Sequence, residues 1–457
     1  MMQLPRRVLV VGFRRTGQAV ARVLAERGCA VRAADAEEHA ALPVAAAALP
    51  SVELHLGPQS GPQSGPQSGP KSAALLDGVD LVVPSPGVPR GAPLLVEAVR
   101  RQIPVWAEVE LAARLLDCPI VAITGTNGKS TTTTLVGRAL ERTGRRTFTG
   151  GNLGTPLILA VATSPEVAVS EVSSFQLEWV ERFRPRVGCL LNLTADHLDR
   201  HADFAEYRDA KARLFAAQQA SDWAVLNRDD PECAALARRC AARVVTFGVA
   251  SAGDGASLDG TIAVLRLPGA AEERYDLGRT RLAGRHNLEN ILAAVTLARL
   301  AGGAPAAVQD AVDTVEPLPH RLALVAERRA VRWYDDSKAT NVGATVKSIE
   351  SFTEPVVLLA GGVDKGGDYA PLAAAARGRV RRALVFGAAR ERLAEALEAA
   401  AVDVERVGDL PAAVGAAAAA ARPGDVVLLA PACSSFDMFT DYAARGRAFR
   451  AAVEALP

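Results

Sequence analysis

The stretch Thr124-Gly125-Thr126-Asn127-Gly128-Lys129-Ser130 gathers glycines, a lysine and a hydroxyl between an apolar run and a helix-forming segment. Glycines allow successive backbone N–H groups to point into one concavity, and the helix N-terminus that follows adds positive potential. Lys129 can reach the outer phosphates of a nucleotide, and the Ser130 hydroxyl can ligate Mg²⁺. The match to the general phosphate-loop pattern is incomplete, because its first glycine falls at Ile123. The plainer alternative is a glycine turn capped by Ser130. Strand, lysine, hydroxyl and helix together favour nucleotide binding.

Three further residue sets could act on such a ligand. Glu171 follows the apolar run Val167–Ser170, where an acid could meet the nucleotide's Mg²⁺; an ordinary exposed acid is the alternative. His197 stands in Asn192-Leu193-Thr194-Ala195-Asp196-His197-Leu198-Asp199, as a ligand or as a packed or capping histidine. Lys211 shares one face of a helix expected over Phe204–Gln218 with Phe204, Tyr207, Leu214 and Phe215. Either it snorkels to the edge of that stripe, or it is partly buried. In the second case its amine is neutral enough to take up CO₂, and the carbamate is an oxygen donor for Mg²⁺. Near the start, Gly12-Phe13-Arg14-Arg15-Thr16-Gly17 resembles a dinucleotide fingerprint, but Arg14 replaces the glycine that lets a pyrophosphate approach. With Thr16 at a helix start and Asp35 at a strand end, that edge suits another nucleotide.

These residues need scaffolds, and three segments each begin afresh with α/β patterning. The first has strand Val8–Val11, a helix from about Thr16 to Arg27 stopped by Gly28, and strand Ala30–Ala34; Leu81–Val83 and Val105 suggest further strands. The second opens with strand Ile120–Ile123 and a helix from Ser130 to about Arg142, ended by Gly144. Strands follow at Val167–Ser170, Val187–Leu191 and Ala224–Leu226, then a helix over Arg285–Leu300. After Pro317 and Pro319 come strands Val331–Tyr334, Val356–Ala360, Ala383–Phe386 and Val426–Ala430, with alanine-rich helices between. Alternating strands and helices predict an α/β protein whose parallel sheets are covered on both faces. The expected domains are 1–107, 108–317 and 318–457. Gly57 to Ser68 repeats GPQS three times, and Gly and Pro at that density predict a surface loop, most simply a tolerated insertion.

Bulk properties exclude several classes. At 457 residues the chain exceeds one core. A net charge of +1 gives no global field toward nucleic acid or an anionic membrane. The apolar run Val8–Val11 is too short for a signal peptide, and no run approaches a membrane span. Cys29, Cys118, Cys189, Cys233, Cys240 and Cys433 form no C-x-x-C pair and read as buried small hydrophobes in a reducing cytoplasm.

Taken in order, the chain resembles the Mur ligases. The resemblance is carried by Ser85-Pro86-Gly87, Thr124–Ser130, Gly150-Gly151-Asn152-Leu153-Gly154, Glu171–Glu178, Asp196–Arg200 and Tyr207–Lys211. It continues through Gly284–Asn287 with Asn290, Leu318–Arg321, Asp336–Asn341, Gly361-Gly362 with Lys365, and Pro431–Asp437. The Asp-Asn-Pro-Arg signature of the diaminopimelate-adding branch is absent, and Asp336-Ser337-Lys338-Ala339-Thr340-Asn341 is similar to the D-glutamate-adding branch.

The resemblance implies three domains: a Rossmann-like N-terminal domain, a central P-loop ATPase-type domain with a parallel sheet, and a C-terminal Rossmann-like lid that closes after Pro317. It implies a cytoplasmic monomer that acts on UDP-N-acetylmuramoyl-L-alanine and D-glutamate, with ATP, two Mg²⁺ ions and a CO₂-derived carbamate on Lys211. Lys129, His197, Lys211 and Arg321 are then catalytic. Gly125, Thr126, Asn127, Gly128, Lys129, Ser130 and Thr131, with Asn287, Asn290, Arg321 and Asp336, hold ATP. Ser130 and Glu171 hold one Mg²⁺, His197 and carbamylated Lys211 the other. Thr16, Asp35, Ser85, Asn152 and His197 contact the UDP substrate. Lys338, Thr340, Lys365, Ser435 and Tyr442 bind D-glutamate. Tyr442 stands where the family pattern has phenylalanine, and Ala36 and Glu37 follow Asp35 where some relatives carry an arginine. A sibling ligase, including the folate polyglutamate type, is the alternative enzyme. A P-loop switch is the alternative class, though it needs neither Lys211 nor the Lys338/Lys365 pair.

Overall fold

Short runs rich in valine, leucine and isoleucine become the buried strands of three sheets. The computed structural model describes residues 4–36, 51–57, 73–250, 253–282 and 284–456. The GPQS repeat beyond Gly57, and Glu37, lie outside them.

The first sheet holds β1 (Arg7–Val11), β2 (Ala30–Asp35), β3 (Val52–Leu56) and β4 (Leu81–Pro84) in the order β3-β2-β1-β4, all parallel. Register sets Val11 beside Ala34 and Pro84, so Gly12, Asp35 and Ser85 come level at the carboxyl edge. The first helix runs Arg15–Glu26, one residue earlier than the periodicity predicts. Val105 forms only an isolated bridge to Val82.

The second sheet contains β5 (Ile120–Thr124), β6 (Thr147–Gly151), β7 (Val167–Glu171), β8 (Val187–Leu190), β9 (Trp223–Asn227), β10 (Arg243–Gly248), β11 (Gly255–Asp259), β12 (Ile262–Arg266) and β13 (Glu273–Asp276). Its order is β13-β12-β11-β10-β9-β8-β5-β7-β6. From β6 to β11 the pairings are parallel, but β11, β12 and β13 pair antiparallel. The expectation of purely parallel sheets fails there for a simple reason. Only Gly260 and Thr261 separate β11 from β12, and so short a connection joins antiparallel neighbours only.

The third sheet holds β14 (Ala323–Arg328), β15 (Val331–Asp335), β16 (Val356–Gly361), β17 (Val380–Phe386), β18 (Asp403–Arg406) and β19 (Val426–Leu429), in the order β14-β15-β19-β16-β17-β18. It is parallel except for β14, which returns on β15 through Arg329 and Ala330, both at positive φ. Alternate residues of its central strands feed two buried clusters, one holding Leu358, Val385 and Leu428, the other Val357, Leu384 and Val427.

The chain divides into two compact units. The first comprises residues 1–192, 208–278 and 290–312 and contains the first two sheets. The second comprises 193–207, 279–289 and 313–457 and contains the third. His197 and Asn287, read in sequence as part of 108–317, therefore group with the C-terminal sheet.

The helix expected over Phe204–Gln218 ends at Ala212 and tightens into a 3₁₀ turn over Arg213–Phe215. Cys29, Cys189, Cys233 and Cys433 are buried as expected, whereas Cys118 and Cys240 are only half-buried. Among the described residues no helix is long and apolar enough to cross a membrane.

Candidate active site

In the first unit, β5 runs into the glycine loop and the helix Lys129–Arg142 runs out of it. The residue capping that helix is Gly128, at φ +87°, and Ser130 does not cap it. A Cβ at Gly128 would collide with the Asn290 side-chain oxygen, so backbone conformation and packing both require glycine there. Ser130 instead donates its hydroxyl to Glu171 Oε2 at 2.7 Å, and both residues are buried. Strand register explains the meeting: Glu171 lies beside Ile123, one residue before β5 ends. Glu171 is thus no ordinary exposed acid. Thr126 of the loop and Thr131 of the helix are buried as well.

Asn192, just past β8, clasps the loop. Its side-chain oxygen accepts from Asn127 N at 2.8 Å, its amide donates to Asn127 O at 3.1 Å, and its carbonyl accepts from Thr126 N at 2.9 Å. Lys129 Nζ donates to Gly125 O and Thr126 O, each at 2.8 Å, so its charge is held at the loop. Lys211 is 2% exposed, which removes the snorkelling alternative. Its Nζ donates to Gly125 O at 2.9 Å.

At the edge of the first sheet, Phe13 N donates to Asp35 Oδ2 at 2.6 Å and Ser85 Oγ donates to Gly12 O at 2.7 Å. The carboxyl ends of β1, β2 and β4 thus form the crevice in which α/β sheets take ligands. Thr16 is the second residue of the adjoining helix and half-buried. Arg15, beside it, donates to Gly154 O at 2.8 Å. That bond ties this crevice to the loop carrying Asn152, whose amide donates to Glu171 Oε1 at 2.7 Å. Asp35, Ser85, Asn152 and Glu171 therefore belong to one connected edge.

The second unit assembles its own set at the carboxyl ends of β15, β19 and β16, which are adjacent. Asp196 accepts from Lys365 Nζ at 3.1 Å and from Asn341 Nδ2 at 2.8 Å. Burial alone would raise its carboxyl, but Lys365, His197 and Asn341 outweigh that and hold it below the usual range. His197 follows at φ +56°, a conformation uncommon outside glycine, with its Nε2 3.6 Å from Asp196 Oδ2. Lys338 Nζ lies 5.0 Å from the Tyr442 ring centroid, a cation–π arrangement. Thr340 is half-buried, next to Asn341, and Ser435 is buried.

Asp336 is buried against the Ser348 hydroxyl, and burial pushes its carboxyl up to about 6 although Arg321 pulls it down. Burial, Lys347 and Arg321 push the His286 imidazole down to about 4. Lys347 and Arg321 thus place positive charge around a neutral His286 in the unit that carries Asn287.

Sequence reading missed several of these groups. Asn192 was legible in principle as a polar residue ending an apolar strand. Arg445 gave no signal, being one of several arginines on a polar-looking helix, yet it is fully buried. It donates to Ser337 Oγ and O, Gly361 O, Cys433 O and Ser434 O, the backbone of all three loops of the second unit's edge. Asn290, Lys129, Ser130, Glu171 and Lys211 come together in the first unit. His197, Asn287, Arg321, Asp336 and the expected D-glutamate residues fall in the second.

Comparison with known proteins follows this geometry. Residues 123–298 match the Mur ligase middle domain, and residues 320–433 match the Mur ligase glutamate ligase domain. A UDP-N-acetylmuramoylalanine--D-glutamate ligase from Geobacter metallireducens is 46% identical over 452 residues, covering 98% of this chain and 97% of the relative. One of the same name from Anaeromyxobacter dehalogenans is 49% identical, covering 97% and 96%. Among solved structures, the UDP-N-acetylmuramate-alanine ligase of Thermotoga maritima superposes with a TM-score of 0.60 at 19% identity, over 98% of this chain and 99% of that one. At that identity the likeness is one of fold.

Proposed function

The chain belongs to the Mur ligase family, and from that premise we propose that it joins D-glutamate to UDP-N-acetylmuramoyl-L-alanine at the expense of ATP. The observation that carries the ATP half is the buried Ser130–Glu171 pair beside the lysine-bearing loop. The name shared by relatives 46% and 49% identical to this chain points to the two other substrates. A reaction of this kind consumes ATP and a UDP-linked precursor, which sets it in the cytoplasm, in peptidoglycan precursor synthesis. The same reading takes the protein as a monomer.

A carboxylate oxygen of the alanyl end attacks the γ-phosphorus, the bond from that phosphorus to the β,γ-bridging oxygen breaks, and ADP leaves. The D-glutamate nitrogen then adds to the acyl carbon and loses a proton, and the tetrahedral intermediate expels inorganic phosphate. Carboxylate and γ-phosphate repel one another, so the chain must place donors where negative charge gathers. Lys129, the loop N–H groups and the N-terminus of the helix Lys129–Arg142 serve that end, with Gly125, Thr126, Asn127, Gly128 and Thr131 shaping the cradle. Arg321 adds charge from the second unit. Asn287, Asn290 and Asp336 would orient adenine and ribose. Thr16, Asp35, Ser85, Asn152 and His197 would hold the UDP substrate. Lys338 and Lys365 would meet the two carboxylates of D-glutamate, with Thr340, Ser435 and Tyr442 completing its frame.

Ser130 and Glu171 are suited to Mg²⁺, which takes one or two protein oxygens and completes its shell with phosphates and water. When bound, Mg²⁺ draws off charge from the phosphate oxygens. We assign a second ion to His197 and Lys211 as its carbamate. The buried Lys211 fits that modification, because a carbamate keeps one N–H and so can keep the bond to Gly125 O.

The test is ADP release with UDP-N-acetylmuramoyl-L-alanine in the presence of D-glutamate, L-glutamate or neither. Sustained release only with D-glutamate is expected. Equal turnover of both enantiomers would defeat the assigned amino-acid frame.

A further inference from the structure

We propose that the Tyr369 hydroxyl is a positioning group that sets Lys365 relative to Ser435 and thereby fixes affinity for the amino-acid substrate; the proposal rests on the D-glutamate reading above. The loop after β16 carries Lys365 between Asp364 and Gly366. On one side Lys365 Nζ reaches Asp196. The other side is a closed hydrogen-bond cage. Asp364 Oδ1 accepts from Gly366 N at 3.0 Å and from the Tyr369 hydroxyl, also at 3.0 Å. Asp364 Oδ2 pairs with Arg392, which also donates to Gly367 O at 3.3 Å.

The Tyr369 oxygen has a second partner, Cys433 Sγ, at 3.3 Å. Since its own O–H is given to Asp364, the bond to sulfur is an S–H donation into the hydroxyl oxygen. Cys433 is buried and lies two residues before Ser435, in the loop after β19. One hydroxyl therefore joins the loop that carries the lysine to the loop that carries the serine.

The other ties hold the bases of the two loops, where Arg445 donates to Gly361 O, Cys433 O and Ser434 O. Val363 and Ser434 form an isolated bridge, with Val363 N donating to Ser434 O at 2.9 Å and Ser434 N to Val363 O at 3.1 Å. That bridge anchors the base of the Lys365 loop. Beyond it Gly366 sits at φ +75° and is exposed, so the tip depends on side-chain ties. The Tyr369 ring is held independently: it is 5% exposed, it is packed in the buried cluster with Leu372 and Val385, and Arg392 lies 5.3 Å from its centroid. Removing only the oxygen thus leaves the ring in place and releases the tip.

A substrate with two carboxylates and one amine is sensitive to that spacing, because a lysine and a hydroxyl that drift apart cannot both engage it. The consequence falls on amino-acid binding. It does not reach the phosphate loop, which lies on the other unit.

The experiment is steady-state kinetics of the full-length protein carrying Tyr369→Phe, varying each of the three substrates in turn. Loss of one hydrogen bond of ordinary net strength predicts a KM for D-glutamate raised by about tenfold. kcat, and KM for ATP and for the UDP substrate, should stay within about twofold, because those ligands do not depend on this tie. Asp364→Asn is the second variant. It keeps an oxygen for Gly366 N–H and Tyr369 O–H and loses only the ion pair to the exposed Arg392, so a rise of about threefold in the same KM is expected. A merely structural role would lower the melting temperature and leave the KM for D-glutamate unmoved; that result, or an equal rise in all three KM values, overturns the proposal. If the unsubstituted protein turns over D-glutamate and Tyr369→Phe leaves its KM within twofold, the positioning role alone fails. If the unsubstituted protein does not use D-glutamate, the functional reading fails and this proposal with it.

Discussion

On the function proposed above, the carboxyl edge of the nine-stranded sheet and that of the six-stranded sheet meet the same demand, binding anionic groups, by different means. The first concentrates its donors in one contiguous loop, Thr124–Ser130, whose shape is fixed by Gly128 and by the clasp of Asn192. The second spreads its groups over three loops after β15, β16 and β19 and ties them through buried side chains, chiefly Arg445 and Tyr369. A contiguous motif makes its ligand chemistry separable from global stability. A dispersed one makes the same residues serve both, so damage to the ties should appear in stability as well as in substrate handling.

The largest test of that difference is Lys129→Ala. It removes charge from the phosphate loop, and the bonds to Gly125 O and Thr126 O that go with it lie within that loop, so turnover should fall by about a thousandfold or more. Calorimetric binding of the UDP substrate and the unfolding midpoint should stay near normal. Loss of that binding together with turnover would show that the loop is no separable part.

Lys211→Ala comes next. If Lys211 carries the proposed carbamate, activity should drop on the order of a hundredfold, and acetate at high concentration should restore part of it, while chloride at equal ionic strength should not. Rescue by methylamine in place of acetate would show a cation at work and sink the carbamate. On the other edge, Arg445→Met strands the acceptors on Ser337, Gly361, Cys433 and Ser434 in a buried site. A cost of about 3 kcal/mol in urea unfolding is expected. A fully stable Arg445→Met would contradict the dispersed-edge account.

The smallest effect separates the units by pH. Burial raises the Glu108 carboxyl of the first unit to about 7, from 4.5. Between those values the unfolded chain binds fewer protons than the folded one, so this group's contribution to stability falls as pH rises from 4.5 to 7. His286 of the second unit moves the other way, from 6.5 down to about 4, chiefly by burial. The unfolded chain then binds more protons, and stability falls as pH drops from 6.5 to 4. Glu108→Gln should flatten the first slope and His286→Gln the second, in melting curves taken across both windows. The same slope persisting in either variant would remove that residue as its source.

What was legible in the sequence follows the same division. Thr124–Ser130 could be read because strand, loop and helix are adjacent in the chain, and the strand ends at Glu171 and Asp35 could be read because ligands gather where parallel strands finish. Lys211 was visible as a lysine within an apolar stripe, though the helix closes at Ala212, sooner than the stripe suggested. The Ser130–Glu171 bond was not legible, since it depends on register between β5 and β7. Nor were Arg445 and Tyr369, which depend on Ser337 and Gly361 and on Cys433, far along the chain, and whose own neighbours look ordinary. The strands β10, β11 and β13 escaped because polar residues interrupt their runs, whereas the unbroken run Ile262–Leu265 of β12 was legible and was missed. Grouping of 193–207 and 279–289 with the C-terminal unit is a property of packing, which no local pattern encodes.

The central claim is that activation of the carboxylate belongs to the contiguous edge and capture by the amine to the dispersed one. It is tested most directly by trapping the acyl phosphate with borohydride, which reduces it to the corresponding alcohol, in reactions containing ATP and UDP-N-acetylmuramoyl-L-alanine but no D-glutamate. The account predicts the alcohol from the unsubstituted protein and from Lys365→Ala, none from Lys129→Ala, and no ligated product from Lys365→Ala when D-glutamate is supplied. Absence of the trapped alcohol in Lys365→Ala, alongside its formation by the unsubstituted protein, would contradict it.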